Sequence, residues 1–439
     1  MSKKLAIIGT GISGMACAHF LHQDYDITVF EKDNYIGGHT NTVAVQEGTR
    51  EVPIDTGFMV FNPLNYPNLI KLFNELQVPI KKTDMSFSVQ HIPSGLEYAG
   101  TGLDGLFAQR KNIFSPRHIK MLLQIDRFNK LCVQDMKEQR YQRMTVAEYV
   151  KARGYGEDML FKYLLPMTAA LWSTPTDTTM KFPAMALVRF FHNHGFLGLD
   201  TQHQWYTVDG GSREYRKRLI EPFRNRIKVN EGAQHVRRSE GRVILTSTLG
   251  NRYEFDQLIF ACHADQALAM FENPFEQEST LLGKFAYQQN VATLHSDTRI
   301  MPKTKKTWSS WNYRIDSIGN TLQPSCIYYM NSLQQVSDNE HYFVSINDPG
   351  TIDPKKIHNI INYEHPIFTV DAMTAQKKLP ELNETGPVYF CGSYFRYGFH
   401  EDAFTSAVDL CKKLLGSTHG KVSHYTSPLW GEKTAALWS

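Results

Sequence analysis

His400, Glu401 and Asp402 stand consecutively near the end of the chain, behind the aromatic run Tyr394, Phe395, Tyr397 and Phe399. An imidazole titrates near neutrality, so His400 is the first candidate to move a proton and Glu401 the second. Either could instead cap the helix predicted from near Asp402 through Val408 and Leu410 to Leu414. At the other end of the chain, Gly9, Gly11 and Gly14 follow the apolar run Leu5-Ala6-Ile7-Ile8 and open a helical pattern that leads to Ile27-Thr28-Val29-Phe30 and Glu31. Gly9 permits a tight turn, Gly11 lets backbone approach a pyrophosphate, and Gly14 allows close helix–strand packing. The helix N-terminus, which includes Ser13, offers N–H groups and a positive dipole to phosphates. Glu31 falls where a carboxylate accepts ribose hydroxyls, and Lys32 beside it is grouped with the same site. The stretch reads as a strand-turn-helix-strand unit that holds a dinucleotide.

Gly37-Gly38-His39-Thr40 follows, and Asp55-Thr56-Gly57 comes after the strand pattern Thr42–Val45. Here the chain resembles the flavin-containing amine oxidase and phytoene desaturase superfamily. That resemblance implies FAD, with contacts from Gly37, Gly38, His39, Thr40, Asp55, Thr56 and Gly57. Relatives carry Arg after the Gly pair; His39 stands there and lacks a permanent charge. Val208-Asp209-Gly210-Gly211-Ser212 resembles the turn by which the chain returns to the cofactor domain. The short strands after it resemble the segment that binds the adenine, with Val236 as the expected contact. Gly386–Ala403 resembles the C-terminal flavin motif, in which a helix N-terminus faces the flavin N1–C2=O edge and stabilises negative charge on it. Gly392, Asp402 and Ala403 are the implied contacts, and Ser393 replaces a common Glu. Beside the ring system, Tyr394, Tyr397 and Phe399, with Phe395, could form a wall around the substrate or pack the flavin.

Within the superfamily, Gly-Gly-His-x-Asn-Thr, Asp-Thr-Gly-Phe and Tyr-Gly-Phe-His-Glu-Asp resemble a bacterial subgroup similar to the oxidoreductase segment linked to cyclopropane-fatty-acid synthases and to furan-fatty-acid desaturases. The reaction this implies is hydride transfer from a substrate C–H to flavin N5, in a desaturase or dehydrogenase of fatty-acyl lipid. A flavin oxidase of small amines shares the expected fold. So does a non-catalytic binding protein like the Rab GDP-dissociation inhibitors. With one complete dinucleotide motif, no dedicated NAD(P)H site is read, and reoxidation is left to oxygen, a quinone or a protein.

The elements that must position these residues follow from length and pattern. A chain of 439 residues with 42% hydrophobic content exceeds what one core accommodates, so at least two domains are expected. The expected fold class is α/β: a Rossmann-like, GR2-type FAD domain from residues 1–75, 205–270 and 385–415. An α+β substrate domain from 76–204 and 271–384 is inserted discontinuously, and 416–439 form a tail in which Trp430 and Trp438 could dock on the body or on a membrane. From Pro116 to about Arg140 a helix is expected, with Ile119, Leu122, Leu123, Phe128, Leu131 and Cys132 on its apolar face and a basic remainder. It packs on a core or lies on anionic lipid. Trp308, Trp311, Tyr313, Tyr328 and Tyr329 could line a pocket or fill a core.

The net charge of +3 is spread along the chain, so nucleic acid is not an expected partner. The six cysteines form no C-x-x-C pair, and His192 with His194 lacks a third ligand, so no metal is expected. No apolar run approaches membrane-spanning length. The expectation is a cytoplasmic protein, at most peripheral to a membrane, acting on a small-molecule or lipid substrate; its oligomeric state is not readable.

Overall fold

Leu5, Ala6, Ile7 and Ile8 are all buried, as in a strand covered on both faces, and Lys4–Ile8 (β1) is the centre of a five-stranded parallel sheet. Asp26–Phe30 (β2) and Ile227–Lys228 (β3) extend it on one side, and Gln257–Phe260 (β4) and Val388–Phe390 (β5) on the other. Three distant stretches of chain thus build one Rossmann-like layer. In this computed structural model the described residues are 2–172, 179–198, 203–318 and 321–426.

The helix Ile12–Leu21 (α1) is buried almost all round, with Met15, Ala16, Cys17 and Ala18 inside. Its small side chains admit the long helix His400–Leu415 (α6), and Ser13 Oγ donates to the Ala403 carbonyl at 2.9 Å across the contact. Cys17, Cys391 and Cys411 are buried there, with the Cys17 and Cys391 sulfurs 3.7 Å apart. Helix α6 starts two residues before the position expected from the sequence.

A second, seven-stranded sheet unites Phe87–His91 and Leu96–Ala99 with five strands between residues 286 and 367. Its pairs are antiparallel except Phe87–His91 against Trp311–Ile318. A strand that the sequence reading missed, Arg252–Phe255, completes a small antiparallel sheet with Ala233–Ser239 and Arg242–Ser247.

A helical layer carries Pro116–Lys137 (α3) and Ala184–Asn193 (α4), whose Phe128, Cys132, Phe190 and Phe191 share one core. The helix α3 forms where expected, and Phe128 and Cys132 of its expected apolar face are buried, but the rest of that face is shifted. His118, Met121, Phe128, Cys132 and Asp135 point inward, while Ile119 and Leu123 are exposed. The inward carboxylate of Asp135 is matched by Arg153 Nε at 2.8 Å and the Tyr149 hydroxyl at 2.7 Å. A satisfied polar group therefore occupies a place that hydrophobic pattern assigns to an apolar one.

Pro67–Glu75 (α2) and the start of the tail are joined by hydrogen bonds: Tyr425 Oη donates to Glu75 at 2.7 Å and Thr426 N to Asn68 at 2.9 Å. Val422 and Tyr425 are buried. Trp430 and Trp438 lie outside the described residues. Among those residues no helix is long and apolar enough to cross a membrane.

Candidate active site and flavin cradle

A cavity of about 670 Å³ runs from the carboxyl ends of β1 and β2 to the space between the helical layer and the seven-stranded sheet. At its first end, Thr10 joins three of the sequence features. Its N–H donates to Glu31 at 3.0 Å, its hydroxyl donates to the same carboxylate, and that hydroxyl accepts from Gly37 N at 3.0 Å. Asp33 N donates to the other Glu31 oxygen at 3.0 Å. The sequence reading passed over Thr10 because it looks like a spacer between glycines. An ideal Cβ at Gly14 would lie 1.9 Å from the Gly9 carbonyl oxygen, whereas one at Gly11 meets no protein atom within 4 Å. Gly14 is needed by the fold, and the room at Gly11 is left for a ligand.

Gly9, Gly11, Ser13, Glu31, Lys32, Gly38, His39, Thr56, Gly57, Gly392 and Ala403 all line the cavity. Gly14, Gly37, Thr40, Asp55, Val236 and Asp402 do not. The Asp55 carboxylate is instead an anchor for the Gly-Gly-Ser turn, accepting from Ser212 N at 2.9 Å, Ser212 Oγ at 2.8 Å and Thr42 Oγ1 at 2.6 Å. Burial pushes its acidity down, raising its pKa. Asp402 caps its own helix by accepting from Phe399 N at 2.9 Å, and burial lifts its pKa to about 6. Val236 is a correction of register. Its side chain is in the core, it pairs with Leu245, and its carbonyl accepts from Glu272 N at 3.1 Å. Its neighbours three and four residues earlier, Ala233 and Gly232, line the cavity in its place.

His39 stacks on Tyr363 with centroids 4.7 Å apart, and its Nε2 has no protein partner. Burial and the neighbouring His365, His263 and His400 hold its pKa well below the usual value, so the ring is neutral. Nearby, Glu364 takes His263 Nδ1 at 3.2 Å, which, with Lys32 close by, lowers the pKa of that carboxyl. The Tyr394 hydroxyl is likewise buried without a partner, in the cavity wall. Two orphaned polar atoms, an open glycine cradle and a helix N-terminus at the same cavity fit a flavin dinucleotide.

His400 lies flat on Phe58, with centroids 3.9 Å apart and planes 10° from parallel. Its Nε2 is 2.6 Å from the Tyr215 hydroxyl, which also bonds Thr40. Tyr215 belongs to Arg213–Ile220 (α5), and burial raises the pKa of its phenol, leaving it a donor to the imidazole. Burial lowers the His400 pKa to about 3. The expectation of a histidine titrating near neutrality is therefore corrected: the ring lines the cavity as a neutral group. Glu401 is corrected more sharply. Its carboxylate turns away from the cavity and accepts from Asn68 N at 3.0 Å and Leu69 N at 2.9 Å, which satisfies the N-terminus of α2. Of the expected aromatic wall, Tyr394 and Phe399 line the cavity, while Tyr397 lies beside Arg189 outside the lining.

The far end of the cavity is formed by residues that no local motif marks. Phe190, His194, Phe196 and Trp205 stack in series, with Phe196 and Trp205 6° from parallel, and Met85, Trp311, Tyr328 and Ile346 face them. His194 Nδ1 donates to the Phe190 carbonyl at 2.9 Å, and burial lowers its pKa to about 4. Of the five residues expected to line a pocket or fill a core, Trp311 and Tyr328 line it, Tyr313 is in the core, and Trp308 and Tyr329 pack around Phe343.

Residues 12–297 match the flavin-containing amine oxidoreductase family, and the chain belongs to it. It is an FAD-dependent oxidoreductase. The fold is shared with cyclohexylamine oxidase from Brevibacterium oxydans IH-35A, at 16% identity and a TM-score of 0.65, covering 94% of this chain and 100% of that one. A putrescine oxidase bound to putrescine aligns at 14% identity and 0.65, covering 94% and 99%. A CLA-producing fatty acid isomerase from P. acnes aligns at 14% and 0.64, covering 94% and 98%.

Proposed function

We propose that this enzyme oxidises a C–H bond of a fatty-acyl lipid, as a desaturase or dehydrogenase. The observation that carries the reading is the separation of charge within the cavity. Its ionic lining residues, Glu31, Lys32, Asp33 and Glu364, gather at the dinucleotide end, while the far end is aromatic and aliphatic around a neutral His194. A protonated amine would have only ring faces to meet there, whereas an acyl chain would bury its methylenes at about 0.8 kcal/mol each. Trp205 and Trp311 line the same end, and their buried indole N–H groups have no acceptor in the protein. They would receive a carboxylate or ester oxygen. The subgroup resemblance in Tyr397-Gly398-Phe399-His400-Glu401-Asp402 leads to the same substrate class.

Bound FAD supplies the hydride acceptor. The chain contributes position and dryness: the stacked aromatics hold the substrate, and the Thr40–Tyr215–His400 chain fixes the imidazole at the cavity wall. The visible spectrum of the FAD-loaded enzyme tests the proposal. Anaerobic addition of unsaturated or methylated phospholipid is expected to bleach the flavin band, and cyclohexylamine or putrescine to leave it unchanged. Bleaching by an amine and not by lipid would overturn the reading. With the bleaching substrate, His400→Gln, which keeps an acceptor for Tyr215, is expected to retain at least tenfold more turnover than His400→Ala at equal FAD content. Equal rates would remove the Tyr215–His400 contact from the reaction.

A further inference from the structure

The helical layer whose inner side supplies Phe190 to the cavity has an unpartnered outer side. The short helix Gly102–Leu106, the turn Arg110–Phe114 and the first half of α3 leave Leu103, Ile113, Phe114, Ile119 and Leu123 in solvent, with Leu103 71%, Phe114 85% and Leu123 66% exposed. On α3, Ile119 and Leu123 are one turn apart and opposite the buried Met121, Phe128 and Cys132, so the helix is apolar on two faces. Residues 103–137 carry seven Lys or Arg against three Asp, a surplus of four, whereas the whole chain carries +3. One of the three, Asp135, is buried and paired with Arg153. Among the described residues Lys111 and Lys120 have no acidic partner, and both are exposed beside the apolar side chains.

We propose that this face docks on an anionic bilayer surface, with Phe114 and Leu123 entering the headgroup region and Lys111, Lys120 and Arg127 meeting lipid phosphates, while Lys130 is held by Asp126 at 2.7 Å. Large apolar side chains interleaved with unpaired cations match that solvent boundary on both counts. A second copy of the chain matches it poorly, because an isologous contact would set the same positive surplus against itself. The face backs directly on the substrate end of the cavity: Phe128 and Cys132 of α3 pack in one core with Phe190 of α4, and Phe190 is in the cavity wall. The inference stands whether or not the substrate is a lipid, since vesicle binding is read without turnover.

The test is co-sedimentation of the full-length, FAD-loaded enzyme with phosphatidylcholine vesicles, with and without phosphatidylglycerol. Binding is expected to be at least tenfold tighter to the anionic vesicles and to fall at about 0.5 M salt, where screening shortens the Debye length to about 4 Å. Phe114→Asp combined with Leu123→Asp, at sites already in solvent, is expected to remove binding while thermal stability and flavin content stay unchanged. Lys111→Glu with Lys120→Glu is expected to remove the preference for anionic lipid. Wild-type protein left in the supernatant, or an aspartate variant that binds as wild type does, would overturn the proposal. A dimer in solution that Phe114→Asp dissociates would assign the face to a second copy instead.

Discussion

Replacing Gly11 by valine is expected to yield a folded protein that no longer retains FAD. Gly11 is the residue before α1, with φ −57° and ψ 172°, a conformation open to any side chain. A Cβ there meets no protein atom within 4 Å, so the substitution costs the apoprotein little. The same methyl groups project into the cavity where the pyrophosphate must approach the backbone. Purified Gly11→Val, reconstituted with excess FAD, is expected to bind at least a hundredfold more weakly, about 3 kcal/mol, with a melting temperature of the apoprotein close to wild type. Gly14→Ala is the contrasting control. Its Cβ would collide with the Gly9 carbonyl, so it is expected to lose the fold and the flavin together. Full flavin occupancy in Gly11→Val would remove the cradle from this turn.

The parts of the site legible in the sequence are those where chemistry is local. Gly9, Gly11, Gly14 and Glu31 belong to one strand-turn-helix-strand unit; Gly9, Gly11 and Glu31 line the cavity, and Gly14 lets the helix close on the turn. His400 and Glu401 show where adjacency misleads. Consecutive residues on a helix point about 100° apart, so one faces the cavity and the other serves α2. Val236 missed by three residues because the register of Ala233–Ser239 is set by pairing with Arg242–Ser247, a tertiary choice that no motif records. The substrate end was legible only as an alternative: Trp311 and Tyr328 read equally as pocket or core, and both line the cavity. Met85, Phe190, Trp205, Trp311 and Ile346 come from five separate segments, and an apolar residue reads the same in a core as in a pocket wall. On α3, length, ends and the inward Phe128 and Cys132 were legible, but the inward Asp135 depends on Tyr149 and Arg153, which lie outside α3.

Acid is expected to destabilise the enzyme well above the pH at which ordinary carboxylates titrate. His295 is fully buried, its Nε2 bonds Ser345 Oγ at 2.8 Å, and its Nδ1 accepts from Asp297 N at 3.1 Å, a geometry that only a neutral imidazole satisfies. Burial lowers its pKa to about 4 despite the nearby Asp297 and Asp348, and His194 falls to about 4 for the same first cause. Unfolded, both would take up a proton near pH 6.5, so the unfolded state binds more protons and stability drops as pH falls from about 6.5 to 4. Each shift corresponds to about 3 kcal/mol at full effect, a large part of the roughly 5–15 kcal/mol that holds a folded protein. Glu401 works the other way. Its pKa, raised to about 7 by burial, makes the folded state hold a proton that the unfolded chain has released, so its contribution is lost as pH rises from about 4.5 to 7. Urea unfolding of the FAD-saturated enzyme is therefore expected to show net loss of stability between pH 7 and pH 5. His295→Gln is expected to flatten that slope and Glu401→Gln to steepen it. The opposite signs of the two variants separate buried imidazoles from buried carboxyls, and a wild-type stability that does not change between pH 7 and pH 5, with both variants parallel to it, would contradict the neutral burial of His295 and His194.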